Sequence, residues 1–502
     1  MTRRNSTSAI AALGIFLAAQ GPTISEGQGN PNIPDIESVG VVKVVDPFNA
    51  EPAQRLYGTL DMMDLVEAQG RKIMVIAHEI FPSSTQGSAG NLPGFPLGSP
   101  DTYDGVNRGL GLGAVTGWDQ KTGEFFFIVP PKNTALAEPY DENQHTSATD
   151  GVRATPWGTA LIGEEWSQSP SIVFGTPARG GHILEVNPLD PGGSLSRVKV
   201  MGSFSHEGIA IQKTSNNYVI YQGDELRGGG TWAGVPPVAG FACANDTPRR
   251  GGAVYRFIPS QKPKAFNDLQ ASGGTLQAFD FLVKEWVTVP NSVVAAENPD
   301  VIRCWADTTL SHVSLWERPE DIEYDHGNLY IAVTERSCVV AAGQCTATLF
   351  DGNAPNRSLG HVIRLNPDTG DWSVFVDADT VNAAIPDPKF GNPDNLVLDR
   401  EGRVYITQDG GTPNDSIWIA TPDKNHDGVA DTFARFLNMA DANLGVPASC
   451  GEPTGFHFLD EKTLLFNFQG GARQNDFGVV QDAACPLFNS RIMAIELGGT
   501  DH

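Results

Sequence analysis

The sequence predicts an all-β fold, a β-propeller of about six blades with long inserted loops. Three observations predict it. The composition is rich in turn residues, with 55 Gly and 35 Pro in 502 residues, and poor in charge, at 19%. Short alternating apolar runs are bounded by those turn residues, and long helix-forming runs are scarce. A weak internal repeat returns along the chain, and acidic residues recur at matched places within it. A sandwich would accommodate the first two observations but not the third.

The first 25 residues read as an export signal. Arg3 and Arg4 precede an uncharged apolar stretch from Ala9 to Ala19, too short to span a bilayer. The paired arginines hint at the twin-arginine route, and a periplasmic or secreted location is expected. The remainder, about 36–500, is expected to be a single propeller domain without a transmembrane segment, and monomeric. Six cysteines (243, 304, 338, 345, 450 and 485) suit disulfides in an oxidising compartment. Cys338 and Cys345 are close enough to close a small loop and are the first pair expected.

The formal net charge is −25. Nucleic acid is an improbable partner, because affinity for phosphate backbones comes from Lys and Arg. The charge suits divalent cations, or simply solubility.

The repeat is clearest in two segments. Pro319-Glu320-Asp321-Ile322-Glu323-Tyr324-Asp325 leads through a turn to Asn328–Ala332 and ends at Glu335. Pro393-Asp394-Asn395-Leu396-Val397-Leu398-Asp399 leads to Val404–Thr407 and ends at Asp409. The first and last acids are fifteen positions apart in both copies. Looser copies run from His206-Glu207 to Asp224-Glu225 and from Glu452-Pro453-Thr454 to Gln469. Upstream, Thr155–Leu161 ends at Glu164-Glu165, and Lys72–Ile76 ends at His78-Glu79. In a propeller the innermost strand of each blade lines the central channel, so acids at one end of each such strand would converge on the axis. Packed carboxylates repel unless cations neutralise them. All-oxygen donors favour Ca²⁺. The competing reading places these acids in turn caps on the solvent rim.

A separate segment, Asp423-Lys424-Asn425-His426-Asp427-Gly428-Val429-Ala430-Asp431, alternates oxygen donors with Gly at the sixth position, as calcium loops do. Asp423, Asn425, Asp427 and Asp431 are the candidate ligands; a plain Asp/Asn turn is the alternative.

Together these segments resemble the PhoX-type (DUF839) family of secreted alkaline phosphatases. The resemblance is carried by Thr155-Pro156-Trp157-Gly158-Thr159 with Glu164-Glu165, by His206-Glu207, Tyr255-Arg256-Phe257 and Arg318-Pro319-Glu320-Asp321. Gly360–Arg364, Pro393–Leu396, and Glu452 with Thr454-Gly455 complete it. It implies a propeller with an iron–calcium cluster in its channel that releases phosphate from small monoesters outside the cytoplasm. The ligands it implies are Glu164, Glu207, Glu320, Asp394 and Glu452, and the adjacent acids Glu165 and Asp321 are candidate ligands beside them. It implies Arg318 as the phosphate-binding catalytic cation, whose planar fork matches two phosphoryl oxygens; a salt bridge to a neighbouring acid is the other role open to it.

Three departures bear on the metal. Gly163 stands where the family places a cysteine that ligates iron, Ala77 where it has Asn, and Gln469-Gly470-Gly471 where it has Gln-His-Pro. Without the thiolate a soft iron ligand is missing, so calcium is the expected ion and Fe³⁺ the doubtful one. A metal-dependent phosphoric ester hydrolase is therefore the leading function. A calcium-dependent lactonase-like hydrolase and a non-catalytic calcium propeller are the alternatives. Serine-nucleophile chemistry lacks a Gly-x-Ser-x-Gly elbow, and the run Gly228-Gly229-Gly230 opens no nucleotide-binding helix.

Overall fold

The computed structural model describes residues 23–24, 43–45, 60–79, 114–129, 146, 149–165, 167–168, 179–192, 195–226, 231–313, 318–334, 359–384, 390–408, 416–438, 451–470 and 491–497. The alternating apolar runs form six antiparallel sheets that radiate from a common axis. The innermost strands are Leu60–Ala68, Thr149–Ala154, His206–Lys213, Pro319–Asp325, Pro393–Leu398 and Gly451–Phe458. Each packs against the next, and the sixth returns to the first.

Within a blade the chain meanders outward. In blade four, Pro319–Asp325 pairs with Asn328–Val333, then His361–Leu365, then Trp372–Asp377. Blade three gains a fifth strand, Glu285–Thr288. The ring is closed by a swap. Lys43–Val45, from before blade one, pairs antiparallel with Arg491–Glu496 as the outer strand of blade six. Closure of this kind ties the first and last blades together, while each blade keeps a short outer edge. Thr23–Ile24, inside the segment read as an export signal, runs parallel to Thr432–Phe433 at the edge of blade five.

Apolar clusters fill the spaces between neighbouring blades. Blades two and three share Leu161, Ile183, Phe204, Ile209 and Tyr255, and blades four and five share Phe375, Leu396, Ile406 and Trp418. The largest cluster also takes in the helix Pro299–Thr309, in the insertion between blades three and four. Cys304 of this helix forms a disulfide with Cys243, in the loop between the second and third strands of blade three, Cα–Cα 6.0 Å. Cys338 and Cys345, the first pair expected from spacing, lie outside the described residues, as do Cys450 and Cys485. No described helix is long and apolar enough to cross a membrane.

Two sequence expectations shift by one strand. Thr155–Thr159 is a turn rather than the start of an inner strand; Thr155 N–H donates to Thr159 O, and Gly158 has φ +86°. Lys72–Ile76 lies in a second strand, not an inner one. The true inner strands, Leu60–Ala68 and Thr149–Ala154, precede them.

Candidate metal centre in the channel

One local irregularity builds the site. Every inner strand has a register break near its start: Leu60/Met63, Thr149/Val152, His206/Ile209, Pro319/Ile322, Pro393/Leu396 and Thr454/Phe456. Bulges of this type re-aim side chains. In five blades the residue two positions before the resumed pairing is acidic: Asp61, Asp150, Glu207, Glu320 and Asp394. In blade six that place is held by Thr454, and Glu452 lies two residues earlier, paired through its backbone with Gln469. The repeat that made Glu452 the counterpart of Glu320 is thus corrected by the bulge, which periodicity alone does not reveal.

A second acid follows the last residue of the neighbouring strand. Leu60 pairs with His78, Thr149 with Glu164 and His206 with Asp224, so Glu79, Glu165 and Glu225 come next in the chain and meet the bulge acids. Glu335 and Asp409 lie outside the described residues.

Eight carboxylates form three groups, each with its oxygens within 4.8 Å of one another: Asp61, Glu79 and Asp150; Glu165, Glu207 and Glu225; Glu207, Glu320 and Asp394. Glu207 belongs to two groups. Burial first, then neighbouring carboxylates, push Asp61, Asp150, Glu165 and Glu207 well above the usual carboxylate range. For Asp61 those neighbours are Glu79 and Asp394, and for Glu207 they begin with Glu320 and Asp150, so charge is felt across the channel.

Asp150 Oδ1, Glu165 Oε2 and Glu207 Oε2 are buried without a hydrogen-bond partner. Buried polar atoms are ordinarily satisfied. All-oxygen donors with unsatisfied lone pairs fit hard divalent cations, calcium above all.

The inner strands approach closely enough to hold this array. A Cβ on Gly151 would lie 1.4 Å from Glu207 O, and one on Gly208 would lie 2.2 Å from Ile322 N. In blades four and five a polar side chain occupies the equivalent place and braces the next blade. Asp321 accepts from Leu396 N at 2.9 Å and from its own neighbour Ile322 N at 2.7 Å. Asn395 accepts from Gly455 N at 2.7 Å. Asp321, proposed from sequence as a ligand, is therefore a brace between strands. Thr454 Oγ1 lies 2.5 Å from both Asp61 Oδ1 and Asn395 Oδ1. Thr454 carries one hydroxyl proton, so it donates to one of these two acceptors at a time.

Glu164 also leaves the candidate ligand set. Successive strand residues face opposite ways, so its carboxylate turns away from Glu165. It is ion-paired with Arg197 and lies 3.8 Å from His182 Nδ1. Burial opposes its ionisation, but Arg197 and His182 prevail and hold it down to about 2.

Arg318 stands between two of the groups. Its Nε contacts Glu225 and lies 3.0 Å from Glu320 Oε1. It is buried at φ +57°, left-handed backbone that a non-glycine residue adopts at a cost of order 1 kcal/mol. Asn392, the residue before the proline of blade five, repeats this conformation at φ +46°.

Gly163 explains the missing thiolate. A Cβ there would lie 2.4 Å from His206 O, so a cysteine at this position requires the backbone to shift.

Three residues below the acidic ring, a second tier is neutralised internally. Arg153 donates to Ile209 O at 2.7 Å and to Glu323 at 2.5 Å, and lies 4.0 Å from Asp64. His457 Nδ1 is 3.0 Å from Asp64. Burial opposes ionisation of Asp64, yet His457 and Arg153 hold it at about 2. In the lower tier Arg153 and His457 stand beside the acids, whereas the upper-tier groups bring three carboxylates together.

The 423–431 loop satisfies its own oxygens. Asp423 accepts from Asp427 N and Gly428 N and pairs with Arg364 at 2.8 Å. Asn425 accepts from Asp427 N, Asp427 from Val429 N, and Asp431 from Lys424 N. Such bonds are common to a plain Asp/Asn turn and to a calcium loop, and none of the loop's residues joins a candidate cation group among the described residues.

Sequence reasoning missed Asp61, Glu79, Asp150 and Glu225 as candidate ligands. The fifteen-residue interval separates Asp150 from Glu165 as it does Glu320 from Glu335, so the same interval would have found Asp150.

Comparison with known proteins agrees with this architecture. Among solved structures, the chain resembles PhoX of Pseudomonas fluorescens in complex with vanadate, a transition-state analogue, at 18% identity and TM-score 0.61, covering 93% of this chain and 96% of that one. A protein of unknown function from Dyadobacter fermentans matches at 9% identity and TM-score 0.43, over 88% and 97%. A putative 6-phosphogluconolactonase from Bacteroides uniformis matches at 13% and 0.34, over 85% and 100%. No curated protein matches. The family model described as alkaline phosphatase PhoX matches residues 149–239 and 241–471, more than half of the chain, and the chain therefore belongs to the PhoX alkaline phosphatase family.

Proposed function

We propose that this chain is an exported, calcium-dependent hydrolase of small phosphate esters, with its reaction centre at the acidic ring. The observation that carries the proposal is the set of three carboxylate groups, two of them sharing Glu207, with buried oxygens left unsatisfied. Asp61, Glu79, Asp150, Glu165, Glu207, Glu225, Glu320 and Asp394 would hold the cations. Cations bound there supply Lewis-acid polarisation of phosphoryl oxygens.

The chain's own residues do the rest. Arg318 is the cation nearest both Glu225 and Glu320. With those acids holding cations, its guanidinium would be available to orient a phosphoryl group through paired N–H donors. The Thr454–Asn395 chain holds Asp61 in place. Iron is not part of the proposal, because Gly163 supplies no donor and has no room for one.

The test is phosphate release from a chromogenic aryl phosphate by protein stripped of metal and reloaded with Ca²⁺. Activity should require Ca²⁺ and fall about 100-fold or more in Arg318→Ala, the scale seen for loss of one preorganised donor. Opening of lactones with no release of phosphate would transfer the protein to the lactonase reading. Calcium binding with neither reaction would leave a non-catalytic propeller.

A further inference from the structure

The helix Pro299–Thr309 lies outside the blades, yet it is anchored firmly. Asn298 caps it by accepting from Asp300 N at 3.0 Å, with Pro299 in its first turn. Val301, Ile302, Trp305 and Ala306 enter the core cluster that contains Phe204 and Tyr255. The Cys243–Cys304 disulfide ties it to the loop between the second and third strands of blade three.

From this apolar helix one guanidinium reaches inward. Arg303 is 7% exposed and donates to both oxygens of Asp224, at 2.6 and 2.9 Å, and to Ser205 Oγ at 3.0 Å. Those two partners are the roots of two candidate ligands. Asp224 directly precedes Glu225, and Ser205 lies two residues before Glu207. The same two segments are linked through the backbone, Glu225 N donating to Ser205 O at 3.0 Å and Ser205 N to Asp224 Oδ1 at 3.3 Å. The guanidinium therefore pins both chain segments at the point where their carboxylates turn into the channel.

We propose that Arg303 is a positioning residue for the cation centre, setting the separation of Glu207 and Glu225 through Asp224 and Ser205. The inference rests on the reading that the acidic groups hold divalent cations. Groups that orient metal ligands typically contribute 10–100-fold in affinity without touching the ion.

The test is calorimetric titration of Ca²⁺ into metal-stripped protein, with the unfolding midpoint of the metal-free state measured alongside. Arg303→Lys keeps the charge but loses the fork. The double variant Asp224→Leu, Arg303→Met replaces the buried ion pair by apolar side chains, a change often neutral for stability. Both should bind Ca²⁺ about 10–100-fold more weakly, the double variant with a metal-free midpoint close to that of the parent. A folded double variant, or Arg303→Lys, with undiminished affinity overturns the positioning role alone. A parent protein that binds no Ca²⁺ overturns the cation reading as well.

Discussion

Glu207→Gln tests the metal centre most directly, because Glu207 is the one carboxylate shared by two groups. Two ionised carboxylates with oxygens 4.8 Å apart repel by about 3 kcal/mol at an effective dielectric of about 20, so a fully ionised triplet carries about 10 kcal/mol. That repulsion, added to burial, is why Glu207 holds its proton well above the usual range. Glutamine is close in shape to the protonated acid. In the metal-free protein the substitution should therefore change the unfolding midpoint little.

With calcium the outcome differs. Each site at about a hundredfold excess over its Kd stabilises by about 2.7 kcal/mol, so two sites contribute about 5 kcal/mol. Unfolding entropy of about 2.1 cal/mol/K per residue amounts to about 1 kcal/mol/K for a chain of this length. The two Glu207-dependent sites should thus raise the parent's midpoint by about 5 °C, and Glu207→Gln should lose that part of the shift. The Asp61, Glu79 and Asp150 group should keep its own share. The assay is differential scanning calorimetry with and without Ca²⁺. A variant whose calcium-induced shift equals the parent's would refute the shared-ligand reasoning, and a variant much less stable without metal would refute the claim that Glu207 is protonated there.

Two further outcomes follow from residues outside the ring. Asp307, pushed up to about 7 by burial while accepting from Trp232 Nε1 at 2.6 Å, favours the folded state fully below pH about 4 and loses that contribution as pH rises through 7. Asp307→Asn should match the parent near pH 4 and exceed it by up to about 4 kcal/mol near pH 8 in urea unfolding, and an equal pH dependence in both proteins would contradict the assignment. Gly163→Cys should not create an iron site: its Cβ would meet His206 O at 2.4 Å, so the variant should be destabilised by about 3 kcal/mol or more and show no thiolate-to-iron absorption when iron is supplied.

Much of the architecture was legible in the sequence. Alternating apolar runs, turn residues and the Pro-acid repeat were sufficient for a propeller of about six blades, because strand periodicity and turn chemistry are local properties. Family resemblance located Glu207, Glu320, Asp394 and Arg318, and these four do meet at the channel. The tertiary structure decided which neighbouring acids join them. Asp321 and Glu320 are adjacent in sequence, but the bulge turns one towards the channel and the other into a brace on Leu396 N. Glu164 and Glu165 are adjacent too, and the pleat sends them to opposite faces, one to Arg197 and one to Glu207 and Glu225. Asp61 and Asp150 were passed over because their strands carry weak apolar alternation, although three-dimensional register makes them the counterparts of Glu207. What a carboxylate does depends on which partner strand faces it. Pairing across tens or hundreds of residues sets that, and no local pattern encodes it.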